Sequence, residues 1–159
     1  MKVDLPKPLA TLPPMKLVVL TTPGTPIVSV RLVFRAGAVD DPKGKEGLTA
    51  LTTRLLTEGG TKSLSAGELN DALFPMAGEL ESDTDKEFTV VSGRVHQERF
   101  DRFLEIFADT LTAPRLDPKE FERLKTEQLN AIRNRLRSEN DEELGKITLD
   151  ALLYDGHPY

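Results

Sequence analysis

The sequence predicts an α+β fold, a mainly antiparallel sheet with helices packed on one face. Three observations lead there. Apolar residues alternate with polar ones over 27–35 and again over 87–95, the period of a half-buried strand. Between and after these runs the apolar spacing changes to three and four residues, the period of a helix. The segments then follow the order ββ-αα-ββ-ααα, with strands and helices grouped rather than strictly alternating.

Met1–Pro14 carries four prolines and is expected to form an extended arm, with the folded domain occupying 15–159. Leu17–Leu20 is a short apolar run, and Thr22-Pro23-Gly24-Thr25-Pro26 is a turn signal. Ile27–Arg35 sets Val28, Val30, Leu32 and Phe34 against Ser29 and Arg31, so the two runs are expected to pair as a hairpin. The segment 36–47 is a loop of Gly, Asp and Lys. Leu48, Leu51 and Leu55 then mark a helix over 47–58, which Gly59-Gly60 stops. Ser65 and Glu68 have the spacing of a capping box, and Leu69, Ala72, Leu73 and Met76 form the inner face of the helix that follows. Strands are predicted over 79–85 and 87–95. In the second, Phe88, Val90 and Ser92 lie on one face and Thr89, Val91 and Gly93 on the other.

Phe100, Phe103, Leu104, Phe107 and Leu111 line one face of a helix over 97–111. Asp117-Pro118-Lys119-Glu120 opens the next, with Asp capping, Pro at the first helical position and Glu three residues past the cap. That helix is predicted to reach about Ser138. A last helix covers 141–153, with Leu144, Ile147, Thr148 and Ala151 facing inward.

Composition narrows the function. Apolar residues make up 38% and charged residues 30% of the 159, an ordinary globular profile. The net charge of −5, with Lys and Arg interspersed among Asp and Glu, argues against a nucleic-acid partner, which needs a clustered basic face. There is no cysteine, so disulfides, thiolate metal sites and cysteine nucleophiles are excluded. No apolar run approaches the ~20 residues of a membrane span, and 1–22 has no signal-peptide core. The compartment stays open on this reading, an exported or periplasmic location being favoured for a bacterial protein.

Catalytic options are few. His96 and His157 are far apart and neither belongs to a His-x-x-x-His pair, so each reads as structural. No Gly-x-Ser-x-Gly elbow or phosphate loop is present, and Gly59-Gly60-Thr61-Lys62 reads as a helix stop. Glu79, Glu81, Asp83 and Asp85 share one face of a strand. Such a row can hold a hard cation. The reading preferred here is an edge strand whose charges oppose aggregation, since no glycine-turned calcium loop accompanies them.

In joint order, several stretches resemble the amino-terminal half-domain of the pitrilysin/insulinase-type peptidases, the family that includes the mitochondrial processing peptidases. They are Ile27–Gly37 with Asp40-Asp41-Pro42; Gly47-Leu48 opening a helix that ends in Glu58-Gly59-Gly60-Thr61-Lys62; Ala77-Gly78-Glu79-Leu80; Asp109–Pro114; and Leu153–Tyr159. The resemblance implies a metallohydrolase-like half-domain. In active relatives the helix after Gly47-Leu48 carries His-x-x-Glu-His, two zinc ligands one turn apart with the catalytic base between them. A glutamate some seventy residues on completes the ligand set. Laid on this chain, the first histidine falls at Ala50, the base at Thr53, the second histidine at Arg54 and the distant glutamate at Ala131. None of these can take the family's role. Alanine cannot ligate, threonine is no base near neutral pH, and a guanidinium only donates and repels a cation. Glu58 and Glu127 remain nearby in sequence, but two carboxylates alone do not make a tight zinc site.

The resemblance therefore implies a non-catalytic member with no zinc and no other cofactor, partnered by a catalytic peptidase-family subunit or by itself. It also implies that peptides pair with the edge of the strand at Glu79, where active members carry Asn-Ala and this chain carries Glu81 and Ser82, followed by Asp83 and Thr84. Two alternatives accompany this reading: a stand-alone peptide-binding or scaffold module, and a longer metallopeptidase whose zinc site lies beyond Tyr159. The Arg/Tyr pair of non-catalytic chains in bacterial two-subunit relatives would also lie beyond Tyr159. Relatives continue past His-Pro-Tyr into more helix and strand, so the domain is expected to be truncated, leaving the strip at Leu144, Ile147, Ala151 and Leu152 uncovered.

Overall fold

The computed structural model describes residues 16–134 and 141–154. The proline-rich arm, His157 and the last turns expected of the helix toward Ser138 lie outside the described residues. Three strands, β1 (Ile27–Phe34), β2 (Glu79–Thr84) and β3 (Thr89–His96), form one antiparallel sheet in the order β1-β3-β2. The helices are α1 (Leu48–Glu58), α2 (Ala66–Leu73), α3 (Phe100–Thr112), α4 (Pro118–Asn130) and α5 (Asp141–Leu153).

The fold is α+β, but its balance differs from the expectation. Helices dominate, and the sheet is small rather than the main body of the domain. The reason lies in Leu17–Leu20, which makes no strand. Its four consecutive apolar side chains lack the alternation that would give a strand one buried face, and they are 63–87% exposed. The expected hairpin is thus absent, and β1 pairs instead with β3, Ile27 opposite His96 and Phe34 opposite Thr89.

One face of the sheet is buried. Thr89, Val91, Gly93 and Val95 alternate inward along β3, as its period of two requires. Gly93 is where α3 comes closest: a Cβ there would sit 2.5 Å from Phe103 Cζ, so only glycine leaves room for the ring. Phe103 stacks on Phe107 with centroids 6.1 Å apart, and with Ile106, Leu69, Leu73 and Met76 they fill the main core against Val91 and Val95. α2 begins at the predicted capping box: Ser65 N donates to Glu68 Oε2 at 2.7 Å, and Glu68 N donates to Ser65 Oγ at 3.3 Å. Residues 97–99 form a separate 3₁₀ turn, so α3 starts three residues later than its apolar pattern predicts.

A second, smaller core joins α1 to α4, where Leu51, Leu55 and the fully buried Leu124 pack with Phe121. Leu48, expected on that inner face, is 37% exposed. On the last helix the expected inner face is not seen, since Leu144 and Ile147 are 40% and 45% exposed; of the strip expected to lie uncovered, Leu152 is also 74% exposed. Among the described residues no element is set over them closely enough to bury them. The side chain of Ala151 lies outside the described residues.

Candidate functional site

The helix expected to carry a metal motif is α1, and its start is fixed from a distance. Gly47 takes a left-handed conformation (φ 88°) with no side chain to cap the helix. Asp41, six residues upstream, supplies the missing acceptor. Its Oδ2 accepts from Gly47 N at 2.7 Å and its Oδ1 from Thr49 N at 2.8 Å and Thr49 Oγ1 at 2.6 Å. Burial works to raise the Asp41 carboxyl, but the bonds from Thr49, Gly47 and Leu48 together hold it below the usual carboxylate range.

α1 then lies across the inner side of β2 through hydroxyls. Thr53 Oγ1 is 3.2 Å from Thr84 Oγ1, and Thr57 Oγ1 is 3.5 Å from Ser82 Oγ. Thr53 also bonds the carbonyls of Thr49 and Ala50, which leaves it no role as a base. Ala50 is half-buried one turn earlier, and Ala131 is exposed just past the end of α4.

Arg54 stands where the resemblance places the second histidine. Its Nε donates to Glu58 Oε1 at 2.8 Å and its Nη2 to Glu127 Oε2 on α4 at 3.1 Å. Arg123 joins from α4, 2.7 Å from Glu127 and 2.8 Å from Glu120. The hydrogen bonds that Arg54 donates to Glu58, and then to Glu127, raise its guanidinium above its ordinary value, outweighing partial burial. Arg123 and Arg54 in turn hold Glu127 below the carboxylate range. Two guanidiniums and three carboxylates thus link α1 to α4 where the resemblance places a metal. The donor set does not fit zinc: the carboxylates present are engaged by arginine, and no imidazole belongs to the cluster among the described residues. Among the described residues no group of three or more His, Cys, Asp or Glu is arranged to hold a metal ion.

Beside Arg54 an open cleft of ≈ 410 Å³ runs to β2, lined by Thr57, Glu58, Leu80, Glu81, Ser82 and Asp83 among others. β2 is an outer strand whose far edge meets no other strand among the described residues. Leu80, Ser82 and Thr84 are half-buried toward α1, whereas Glu79, Glu81 and Asp83 are exposed. Glu79 pairs with Arg94 at 2.8 Å. Asp85 lies past the end of the strand and accepts from Lys86 N at 2.7 Å, so the four acidic residues do not converge as a cation site. His96 stays in a structural setting, its Nδ1 accepting from Glu98 N at 3.4 Å. The Arg54–Glu127 link, spanning 73 positions, had no signal in local sequence. The capping by Asp41 had a faint one, an Asp before a helix that begins at a glycine.

These features define a peptidase-scaffold domain whose metal helix has become part of an ion-pair network. The model of the insulinase family, peptidase family M16, matches residues 16–155, and the chain belongs to that family; its 159 residues carry no His-x-x-Glu-His motif. It is 28% identical over 116 residues to the zinc protease PqqE of Helicobacter pylori, covering 73% of this chain and 26% of that protein. The solved structure of a peptidase M16 inactive domain from Pseudomonas fluorescens superposes with a TM-score of 0.75 at 24% identity, covering 86% of this chain and 32% of that one. A protease from Helicobacter pylori gives 0.60 at 26% identity, covering 73% and 27%. The chain therefore spans about a quarter to a third of the length of these relatives.

Proposed function

We propose that this chain is the non-catalytic partner of a catalytic peptidase-family member and contributes a peptide-docking edge rather than chemistry. The observation that carries this reading is the pairing of two features: α1 engaged in the Arg54–Glu58–Glu127 network, and beside it an edge of β2 that meets no other strand among the described residues. Loss of ligands removes catalysis, whereas backbone pairing at a strand edge survives any side chain. Co-expression with a His-x-x-Glu-His family member from the same genome is expected to yield a co-purifying complex that cleaves unstructured peptides faster than the catalytic chain alone. Separate elution, with no change in cleavage rate, would refute the partnership.

A second reading has its own support. The Helicobacter relative is named a zinc protease and this chain matches only a quarter of it. The domain would then be one part of a longer peptidase whose metal site lies elsewhere. A His-x-x-Glu-His motif in the same open reading frame would decide for that reading.

A further inference from the structure

From the charge along β2 we infer which peptides its open edge takes: extended segments with Lys or Arg at every second position. This rests on the reading of β2 as a peptide-docking edge and adds to it the class of peptide.

The hydrogen-bond phase of the β2–β3 pair comes first. Asp85 N donates to Phe88 O at 2.9 Å, so these two residues form a hydrogen-bonded pair. Alternation along an antiparallel ladder then turns the backbone groups of Glu79, Glu81 and Asp83 toward β3. Those of Leu80, Ser82 and Thr84 face the open edge. A strand added antiparallel to that edge bonds to Leu80 and Ser82. Its residues opposite Glu81 and Asp83 fall at non-hydrogen-bonded positions, where facing side chains approach most closely.

The charge at those positions is uncompensated. Among the described residues the Glu81 and Asp83 carboxylates make no hydrogen bond or ion pair, whereas Glu79 is neutralised by Arg94. Cations on the neighbouring elements are otherwise committed or displaced. Arg54 is held by Glu58 and Glu127, Lys86 is paired with Asp150, and Arg31 lies on β1, beyond β3. Two carboxylates at i and i+2 therefore match alternate basic residues of an incoming strand. A second copy fits badly, because pairing two β2 edges sets carboxylates against carboxylates. The intervening residues of the incoming strand meet the cleft beside Leu80, Thr57 and the Arg54 guanidinium.

The test titrates the 159-residue chain with labelled octapeptides in low salt: alternating Lys-Thr, alternating Glu-Thr, and a Lys-Thr peptide with every second amide N-methylated to remove strand pairing. The Lys-Thr peptide is expected to bind roughly tenfold tighter than Glu-Thr, the size of two cross-strand charge pairs. Combining Glu81→Gln with Asp83→Asn should bring the two within about twofold. N-methylation should abolish binding. Equal binding of both charge types, lost on N-methylation, would overturn the basic preference while leaving the docking edge standing. Lys-Thr binding that survives N-methylation would show diffuse electrostatics and overturn the strand geometry. No binding of any peptide would overturn both the preference and the docking edge.

Discussion

Replacing Arg54 with methionine keeps most of the aliphatic stem and removes the charge that ties α1 to α4. In the folded chain the guanidinium makes two bonds to Glu58, at 2.8 and 3.2 Å, and one to Glu127 at 3.1 Å. Its side chain is 29% exposed, and its partners are 39% and 47% exposed. An exposed pair contributes about 0.2–1 kcal/mol, and a bidentate one in a network stands at the upper end. Removal also leaves three carboxylates, Glu58, Glu120 and Glu127, facing Arg123 alone, so the cluster goes from a net −1 to −2. Together these give a loss of about 1–2 kcal/mol for Arg54→Met. For a chain of this size that corresponds to a fall in Tm of about 3–6 °C. Urea denaturation of Arg54→Met, Glu127→Gln and the double variant should yield a coupling energy of about 0.5–1 kcal/mol that shrinks in molar salt. A single-variant loss below about 0.3 kcal/mol with no coupling would refute the idea that this network joins the two helices.

Gly93→Ala should destabilise by about 1–3 kcal/mol in thermal or urea denaturation, because the added methyl overlaps the Phe103 ring. Asp41→Ala should cost about 1–2 kcal/mol through loss of the α1 cap. Its carboxyl is lowered in the folded state, so its contribution is full above the unfolded value of about 4 and fades as pH falls through the folded one. Urea midpoints of the parent should therefore drop on acidification below about pH 4, and Asp41→Asn should flatten part of that drop. Purified protein should carry no stoichiometric zinc and leave unstructured peptides uncut. One zinc per chain by metal analysis, lost on substitution at Ala50 or Arg54, would contradict the degenerate site.

Local rules made much of this fold legible. The Ser65 capping box and the Asp117-Pro118 start depend on atoms within three residues, and both helices begin where those signals stand. Alternation separates the two faces of β1 and β3, but it does not say which face of β3 turns inward, and Phe34 of the apolar set on β1 is 44% exposed. The assignment of Ala50, Thr53 and Arg54 to the family's ligand and base positions, and of Ala131 to its distant glutamate, comes from the resemblance in the order of segments and not from local rules. What tertiary structure decided is of another kind. Whether Leu17–Leu20 finds a strand partner depends on which edges the assembled sheet leaves open. Whether Leu144 and Ile147 are covered depends on which elements come to lie over α5. The Arg54–Glu127 pair joins residues 73 positions apart, and the closeness of Gly93 to Phe103 depends on how α3 settles on β3. Contacts of this kind arise when elements pack, and packing is selected by the shape and charge of whole faces, which no short window of sequence contains.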